Sequence, residues 1–136
     1  MNLKPLVVVI GIILNLFAHS VLALGTGEKY YRVSSSDIIS VFSGMTLSSI
    51  NERTKDEALT YFAENGVVKQ SIKTLNVERK GKWHAANDQL CLHWENKESE
   101  YCFDSVLFHN DIFYLFKDGK IESSVTNGVE GDKTGF

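Results

Sequence analysis

Apolar and polar residues alternate along most of the chain after about residue 46. A period of two is typical of β-strands with one buried face, and short turn sequences separate the alternating segments. A long antiparallel meander removes its exposed edges by curling and closing on itself. The pattern therefore predicts a mainly β fold, with about seven short strands forming a meander that closes into a small barrel. The turns are Asn65-Gly66, Asn87-Asp88, Asn110-Asp111 and Asp118-Gly119.

One segment before the meander has helical spacing instead. Residues 34–37 offer several N-capping side chains, apolar residues follow at intervals of three and four, and Gly44 can end the helix. The sequence therefore predicts a short N-terminal helix. Its apolar residues are Ile38, Ile39, Val41 and Phe42.

The first 23 residues have the pattern of a secretory signal peptide. Lys4 precedes an apolar run from Leu6 to Phe17, and small residues lead up to Ala23. An uncleaved membrane anchor is the alternative, but polar residues interrupt the apolar segment before it reaches a spanning length. We predict cleavage after Ala23, a periplasmic or secreted location, a single domain over 24–126 and a flexible tail over 127–136.

Charge and sequence motifs argue against several classes of function. The chain has 14 Lys and Arg against 17 Asp and Glu, with no basic block. Nucleic acids and, after signal cleavage, membranes are therefore not expected as partners. Neither a Gly-x-Ser-x-Gly nor a His-Glu-x-x-His sequence occurs. We expect no enzymatic activity and no cofactor.

The two cysteines are expected to bond to each other. If Asn96-Lys97 forms the turn between two strands, Cys91 lies directly opposite Cys102 on the outer face, and a longer turn over 95–99 preserves this pairing. Together with His84 and the neighbouring His93, the thiols could instead bind zinc. An oxidising compartment favours the disulfide, so we predict no metal site.

A series of short motifs follows in a fixed order along residues 36–122. They resemble a family of small secreted proteobacterial proteins, the domain of unknown function numbered 995. The resemblance implies an exported lipocalin-like or calycin-like small barrel from a Gram-negative bacterium, and it implies no catalytic residues. The motifs are Gly44-x-Thr46, Tyr61-Phe62-x-x-x-Gly66, Gly81-Lys82-Trp83, Asp88-x-Leu90-Cys91-x-x-Trp94, Cys102 and Asp118-Gly119-Lys120.

The predicted turns set strand registers that place aromatic and polar side chains together inside the barrel. In these registers Tyr61 lies opposite Gln70, Trp83 opposite Leu92, and Ala85 opposite Leu90. Such a lining is typical of a ligand site, although the same side chains could simply fill the interior. The first function that we expect is therefore a non-enzymatic binding module for a small apolar or amphipathic ligand. The predicted ligand-binding residues are Tyr61, Gln70, Trp83, Trp94, Tyr101 and Tyr114.

The same pattern predicts one strand from Tyr101 to His109, joined through the Asn110-Asp111 turn to a strand from Ile112 to Lys117. Tyr114 then lies opposite Leu107 inside the barrel. The pairs of Phe113 with Phe108 and of Leu115 with Val106 form an apolar patch on the outside. A patch of this size needs a cover, which could be the predicted helix, a homodimer or another envelope protein. The alternative function is therefore that of a protein–protein interaction or inhibitor module. The predicted interface residues are Val106, Phe108, Phe113 and Leu115.

Overall fold

The computed structural model describes residues 21–24 and 28–136, which form one short helix and a single antiparallel sheet curled into a half-barrel. The helix is α1 (Ser35–Phe42). The strands are β1 (Val21–Leu24), β2 (Glu28–Arg32), β3 (Met45–Asn51), β4 (Glu57–Phe62), β5 (Val67–Ile72), β6 (Val77–Ala86), β7 (Gln89–Trp94), β8 (Tyr101–Cys102), β9 (Ser105–His109), β10 (Ile112–Lys117) and β11 (Lys120–Glu130). Their order in the sheet is β1-β2-β9-β10-β11-β3-β4-β5-β6-β7-β8.

The chain between β8 and β9 contacts strands from distant parts of this order. The backbone N–H of Phe103 donates to the carbonyl of Leu90 in β7, at 2.9 Å. The next residue, Asp104, donates its N–H to the carbonyl of Phe116 in β10, at 2.8 Å. One continuous segment therefore joins β7 to β10, and it brings the two sides of the curled sheet together.

Helix α1 forms where the sequence predicts it and packs inside one end of the curled sheet. The Ser34 hydroxyl caps the helix by accepting the Asp37 N–H. Ile38, Val41 and Phe42 are buried, as expected for an amphipathic helix, whereas Ile39 is exposed. The Phe42 ring lies 5.2 Å from the ring of Phe62 and 5.7 Å from that of Phe113. The helix thus closes the floor of the half-barrel.

The β6–β7 hairpin has the register that the sequence predicts. Trp83 pairs with Leu92, and Ala85 pairs with Leu90. Asn87 and Asp88 both have positive φ angles, which the tight connection between two twisted strands favours. Asp88 also ties this turn to α1, because its carboxylate accepts the Ser35 N–H at 2.9 Å.

The predicted disulfide is confirmed. Cys91 pairs with Cys102 in the β7–β8 register, and their sulfur atoms are bonded. The connection from Trp94 to Tyr101 is longer than two residues, so the longer of the two predicted turns is the correct one.

The predicted register of the β4–β5 hairpin is wrong by one residue. Tyr61 pairs with Lys69 rather than with Gln70, and Phe62 pairs with Val68. Only Gly66 has a positive φ angle at this turn, and the Ala63 N–H donates to the Val67 carbonyl. The turn therefore contains one more residue than a two-residue Asn-Gly hairpin. The shift turns all of β4 over, so that Thr60 and Phe62 face the interior instead of Tyr61.

The predicted single strand from Tyr101 to His109 is also wrong, because the structure divides it into β8 and β9. Tyr101 and Phe103 face the interior, and continued alternation would place Leu107 there too. The break at residues 103–104 changes the phase, so that Val106 and Phe108 join the core instead.

The chain after residue 126 differs from the predicted flexible tail. Strand β11 continues to Glu130 and pairs with β3. Beyond it, the Asp132 carboxylate lies 2.6 Å from the Lys69 ammonium group, and Thr134 is buried. Alternation stops in this segment, so periodicity alone could not identify a strand there.

The predicted signal peptide lies outside the described residues, except that Val21–Leu24 form β1 and pair with β2. Its cleavage stays a prediction. Within residues 21–24 and 28–136, no helix has both the length and the apolar character needed to cross a membrane.

Candidate functional site: a cavity inside the curled sheet

A cavity of about 510 Å³ lies inside the curled sheet. Phe42 of α1 and side chains from β3, β4, β5, β6, β7, β8, β10 and β11 form its wall, together with residues of the connecting loops. The apolar lining residues are Phe42, Leu47, Ala58, Phe62, Ile72, Leu90, Leu92, Trp94, Phe103, Leu115 and Val125. The polar ones are Ser49, Asn51, Arg53, Asp56, Thr60, Gln70, Arg79, Lys97, Glu98, Ser99, Tyr101, Glu122 and Ser123.

The strand directions separate these residues into a floor and a mouth. Phe42 and Phe62 lie at the end that α1 closes, and both are buried. Arg53 and Asp56 lie in the β3–β4 connection, and Lys97 lies in the β7–β8 connection, all at the other end. The cavity is therefore apolar at depth and charged with both signs at its mouth.

A chain of polar side chains crosses three strands on the cavity wall. The Gln70 Nε2 group donates to the Thr60 hydroxyl at 2.9 Å, and Arg79 Nε donates to Gln70 Oε1 at 2.7 Å. The Arg79 guanidinium also lies over the Trp94 ring, 3.9 Å from its centroid. Burial lowers the pKa of Arg79 because it removes water from the charged group. The guanidinium is thus held in a defined position, facing the cavity.

Tyr101 of β8 lies at the mouth of the cavity, on the same inner face of the sheet. Its hydroxyl donates to a Glu122 carboxylate oxygen, and the Lys117 ammonium lies 4.9 Å from the centroid of its ring. Burial and then this hydrogen bond raise the pKa of Tyr101 well above its usual range, since both disfavour the phenolate. The protonated phenol is therefore a fixed part of the rim.

Three of the six predicted ligand-binding residues line the cavity: Gln70, Trp94 and Tyr101. Trp83 faces the same side but is packed in the core below it, where its indole N–H donates to the Ala63 carbonyl at 2.9 Å. The side chains of Tyr61 and Tyr114 were predicted to point inward and do not.

Tyr61 borders an outer groove because of the shifted β4–β5 register. Tyr114 packs edge-to-face against Tyr30 of β2, with ring centroids 5.6 Å apart. Its predicted pairing with Leu107 is confirmed, but the face of that hairpin is inverted.

The predicted outer interface is wrong because the inner and outer faces of the β9–β10 hairpin are the reverse of those predicted. The pairing of Phe113 with Phe108 and of Leu115 with Val106 is confirmed, but all four side chains are buried in the core. Their cover is in part the predicted helix, whose Phe42 contacts Phe113 from inside the sheet. They form no exposed patch.

On the outer face, one cluster has the side-chain types of a metal site. Ligand atoms of His84, Cys91 and Glu100 all lie within 4.8 Å of one another. The Cys91 sulfur is already bonded to Cys102, however, and the His84 ring nitrogen lies 2.7 Å from the Glu100 carboxylate. With the disulfide intact, the cluster lacks the thiolates that would favour zinc.

Comparisons with protein-family models, curated proteins and solved structures find no match to this chain. The resemblance to the domain of unknown function 995 therefore stays a prediction.

Sequence reasoning missed two residues that define the cavity. Arg79 precedes Gly81 and Trp83 at intervals of two, so its inward direction could have been found from the β6 alternation. Phe42 was expected on the outside of the sheet, and nothing in the helical pattern indicates that α1 packs inside it.

Proposed function

We propose that this chain is an exported, non-enzymatic binding module that holds a small amphipathic ligand inside a lipocalin-like barrel. The observation that carries the proposal is the cavity of about 510 Å³. Ligand pockets typically measure about 300–1,000 Å³ and combine apolar walls with a few polar groups. This cavity has both features, with an apolar floor and a polar mouth.

Two features of the sheet support a barrel that retains a ligand. Phe103 and Asp104 hydrogen-bond to β7 and β10 respectively, so the wall is continuous between these strands at that level. Phe42 blocks the opposite end, because its ring packs between Phe62 and Phe113. A ligand would enter through the mouth and bury its apolar part against the floor, which the hydrophobic effect favours.

The ligand-binding function is preferred to an interaction or inhibitor module. The apolar patch that motivated an interface is buried in the core, so that alternative has lost its supporting surface. An enzyme is not proposed, because the hydroxyl–carboxylate pair that lines the cavity, Tyr101 with Glu122, keeps the phenol protonated and does not activate it as a nucleophile.

Filling the cavity with a bulky side chain tests the proposal. Ala58 lines the cavity in β4, whereas Glu57 points to the opposite face of the same strand and is exposed. In titrations with the neutral apolar dye Nile red, we expect Ala58→Trp to weaken binding about tenfold or more, because the indole occupies the ligand volume. Glu57→Trp is the matched control and should bind as the unmodified protein does. Equal binding by both variants would show that the dye does not enter the cavity.

A further inference from the structure

We propose that the ligand carries a single carboxylate and that the Arg79 guanidinium binds it inside the cavity. This inference rests on the proposed function and specifies the chemistry of its ligand. A half-buried cation on the cavity wall, without an acidic partner among the described residues and facing an apolar floor, is the observation that requires explanation.

The contacts of Arg79 leave most of its hydrogen-bonding capacity unused. A guanidinium has five N–H donors. The hydrogen bond from Arg79 to Gln70 Oε1 uses only the donor on Nε. In the part of the chain that the structure describes, no carboxylate oxygen forms an ion pair with Arg79, whereas Lys55, Lys69 and Lys117 each have an acidic partner. The terminal nitrogens are therefore available to a ligand.

The surroundings of Arg79 fix the position of these free donors. Gln70 holds Nε from one side, and the Trp94 ring lies against the guanidinium plane. Gln70 is itself held through its hydrogen bond to Thr60. A guanidinium group fixed in this way loses little conformational entropy when it binds a planar carboxylate through two parallel hydrogen bonds.

The position of Arg79 along β6 indicates how such a ligand would lie. Arg79 is two residues from Val77, where β6 begins at the mouth, whereas Trp83 lies towards the floor. A carboxylate bound to Arg79 would therefore sit near the mouth. Its apolar body would extend towards Phe42, past Leu92 and Leu115.

Charge at the mouth favours a head group with one negative charge. Apart from Arg79, the charged lining residues are the cations Arg53 and Lys97 and the carboxylates Asp56, Glu98 and Glu122. The mouth therefore carries one excess negative charge, which would repel a doubly charged phosphate more strongly than a carboxylate. The occupant that fits best is a medium-chain fatty acid or another monocarboxylate with an apolar body.

The test compares ligands that differ only in the head group. Isothermal titration at pH 7 uses purified protein stripped of bound lipid, with decanoate, decanol and decyl phosphate as ligands. We expect decanoate to bind about tenfold or more tightly than decanol, since a charge-assisted pair forms with decanoate alone. Decyl phosphate should bind more weakly than decanoate. Tighter binding of the phosphate would overturn the assignment of a carboxylate.

Two variants locate the contact. Arg79→Gln should remove the preference for decanoate over decanol. Lys80→Gln removes the same charge at the next position of β6, where the side chain is exposed, and should leave the preference intact. If Arg79→Gln retains the preference, the proposed role of Arg79 is wrong.

A measurement on the unmodified protein keeps the proposal testable if Arg79→Gln does not fold. The carboxyl carbon of ¹³C-labelled decanoate should titrate at a lower pH when bound than when free, because the guanidinium stabilises its charged form. A bound pKa equal to or above the free value would contradict the proposal.

If Nile red, decanol and decanoate all fail to bind, the proposed function fails as well. If decanol and decanoate bind equally, only the carboxylate assignment fails.

Discussion

At Gly81 the neighbouring strand leaves no room for a side chain. A Cβ atom at this position would lie 2.2 Å from the His93 carbonyl oxygen and 2.9 Å from the Trp94 Cα atom. Both are backbone atoms of β7, so the strands would have to separate to admit even a methyl group. Gly81 is thus required by the close approach of β6 and β7 beside the cavity.

We therefore expect Gly81→Ala to destabilise the protein markedly. Overpacking a buried site typically costs 1–3 kcal/mol, and we expect a loss of about 2 kcal/mol or more in the free energy of unfolding, measured by urea denaturation. Lys82→Ala at the exposed neighbouring position is the control and should change it by less than about 0.5 kcal/mol. Equal stability of both variants would contradict this packing.

Tyr101 is expected to make stability depend on alkaline pH. Its pKa is raised in the folded protein, so its contribution is fully present below the ordinary tyrosine value of about 10 and is lost as the pH rises above it. In an absorbance titration of tyrosinate, Tyr101 should ionise above the ordinary tyrosine value, as a late transition. Glu122→Gln should lower the pKa of Tyr101, because it removes the negative charge beside the phenol. Tyr101→Phe should abolish the late transition, and if that transition persists, it belongs to another tyrosine.

The residues that form the turns could be predicted from the sequence, but the conformation of one turn could not. Asn110, Asp111 and Asp118 adopt positive φ angles at the predicted turns, which Asn and Asp tolerate better than most residues. At Asn65-Gly66 only the glycine does so. The dipeptide alone does not reveal whether one or both of its residues adopt this conformation, and the difference of one residue moved Tyr61 out of the predicted site.

Among the elements, the β7–β8 hairpin carries the disulfide between Cys91 and Cys102, which are 11 residues apart. Closing a loop of about this length restricts the unfolded chain and contributes roughly 2–3 kcal/mol. Reduction with dithiothreitol should therefore lower the melting temperature by several degrees and leave the oligomeric state unchanged.

The control for this prediction is the double variant Cys91→Ala/Cys102→Ala. Its melting temperature should not respond to the reductant, because it has no bridge to lose. An unmodified protein that is also insensitive would show that the bridge adds no stability.

Element registers were predicted better than the faces of the elements. Cross-strand pairs in β6–β7, β7–β8 and β9–β10 follow from alternation and turn length, and all three are correct. Which face of β9 is buried depends on the irregular residues Phe103 and Asp104, where the chain passes from one neighbouring strand to another. The sequence contains no proline or glycine at these two residues to mark the break. The sequence pattern therefore predicts that the alternation of β8 continues unchanged into β9.

For the whole molecule, the mainly β class, the helix and the disulfide followed from the sequence, but the cavity did not. An amphipathic helix must bury its apolar face, yet this requirement does not determine which side of a sheet it covers. Because α1 packs inside, Phe42 becomes the floor of a cavity. The inward direction of Arg79 then places its guanidinium on the wall of a cavity, which the local sequence pattern alone does not predict.

Processing of the N terminus is expected to leave this cavity unchanged. N-terminal sequencing of the exported protein should begin at Leu24, and recovery of an intact Met1 terminus in the membrane fraction would instead indicate an anchored protein. Cleavage there removes most of β1, which lies at one end of the sheet order and pairs with β2. No described residue before Phe42 lines the cavity. A chain beginning at Leu24 should therefore bind Nile red with the same affinity as the chain beginning at Met1, and a difference of tenfold would mean that the N-terminal segment takes part in the site.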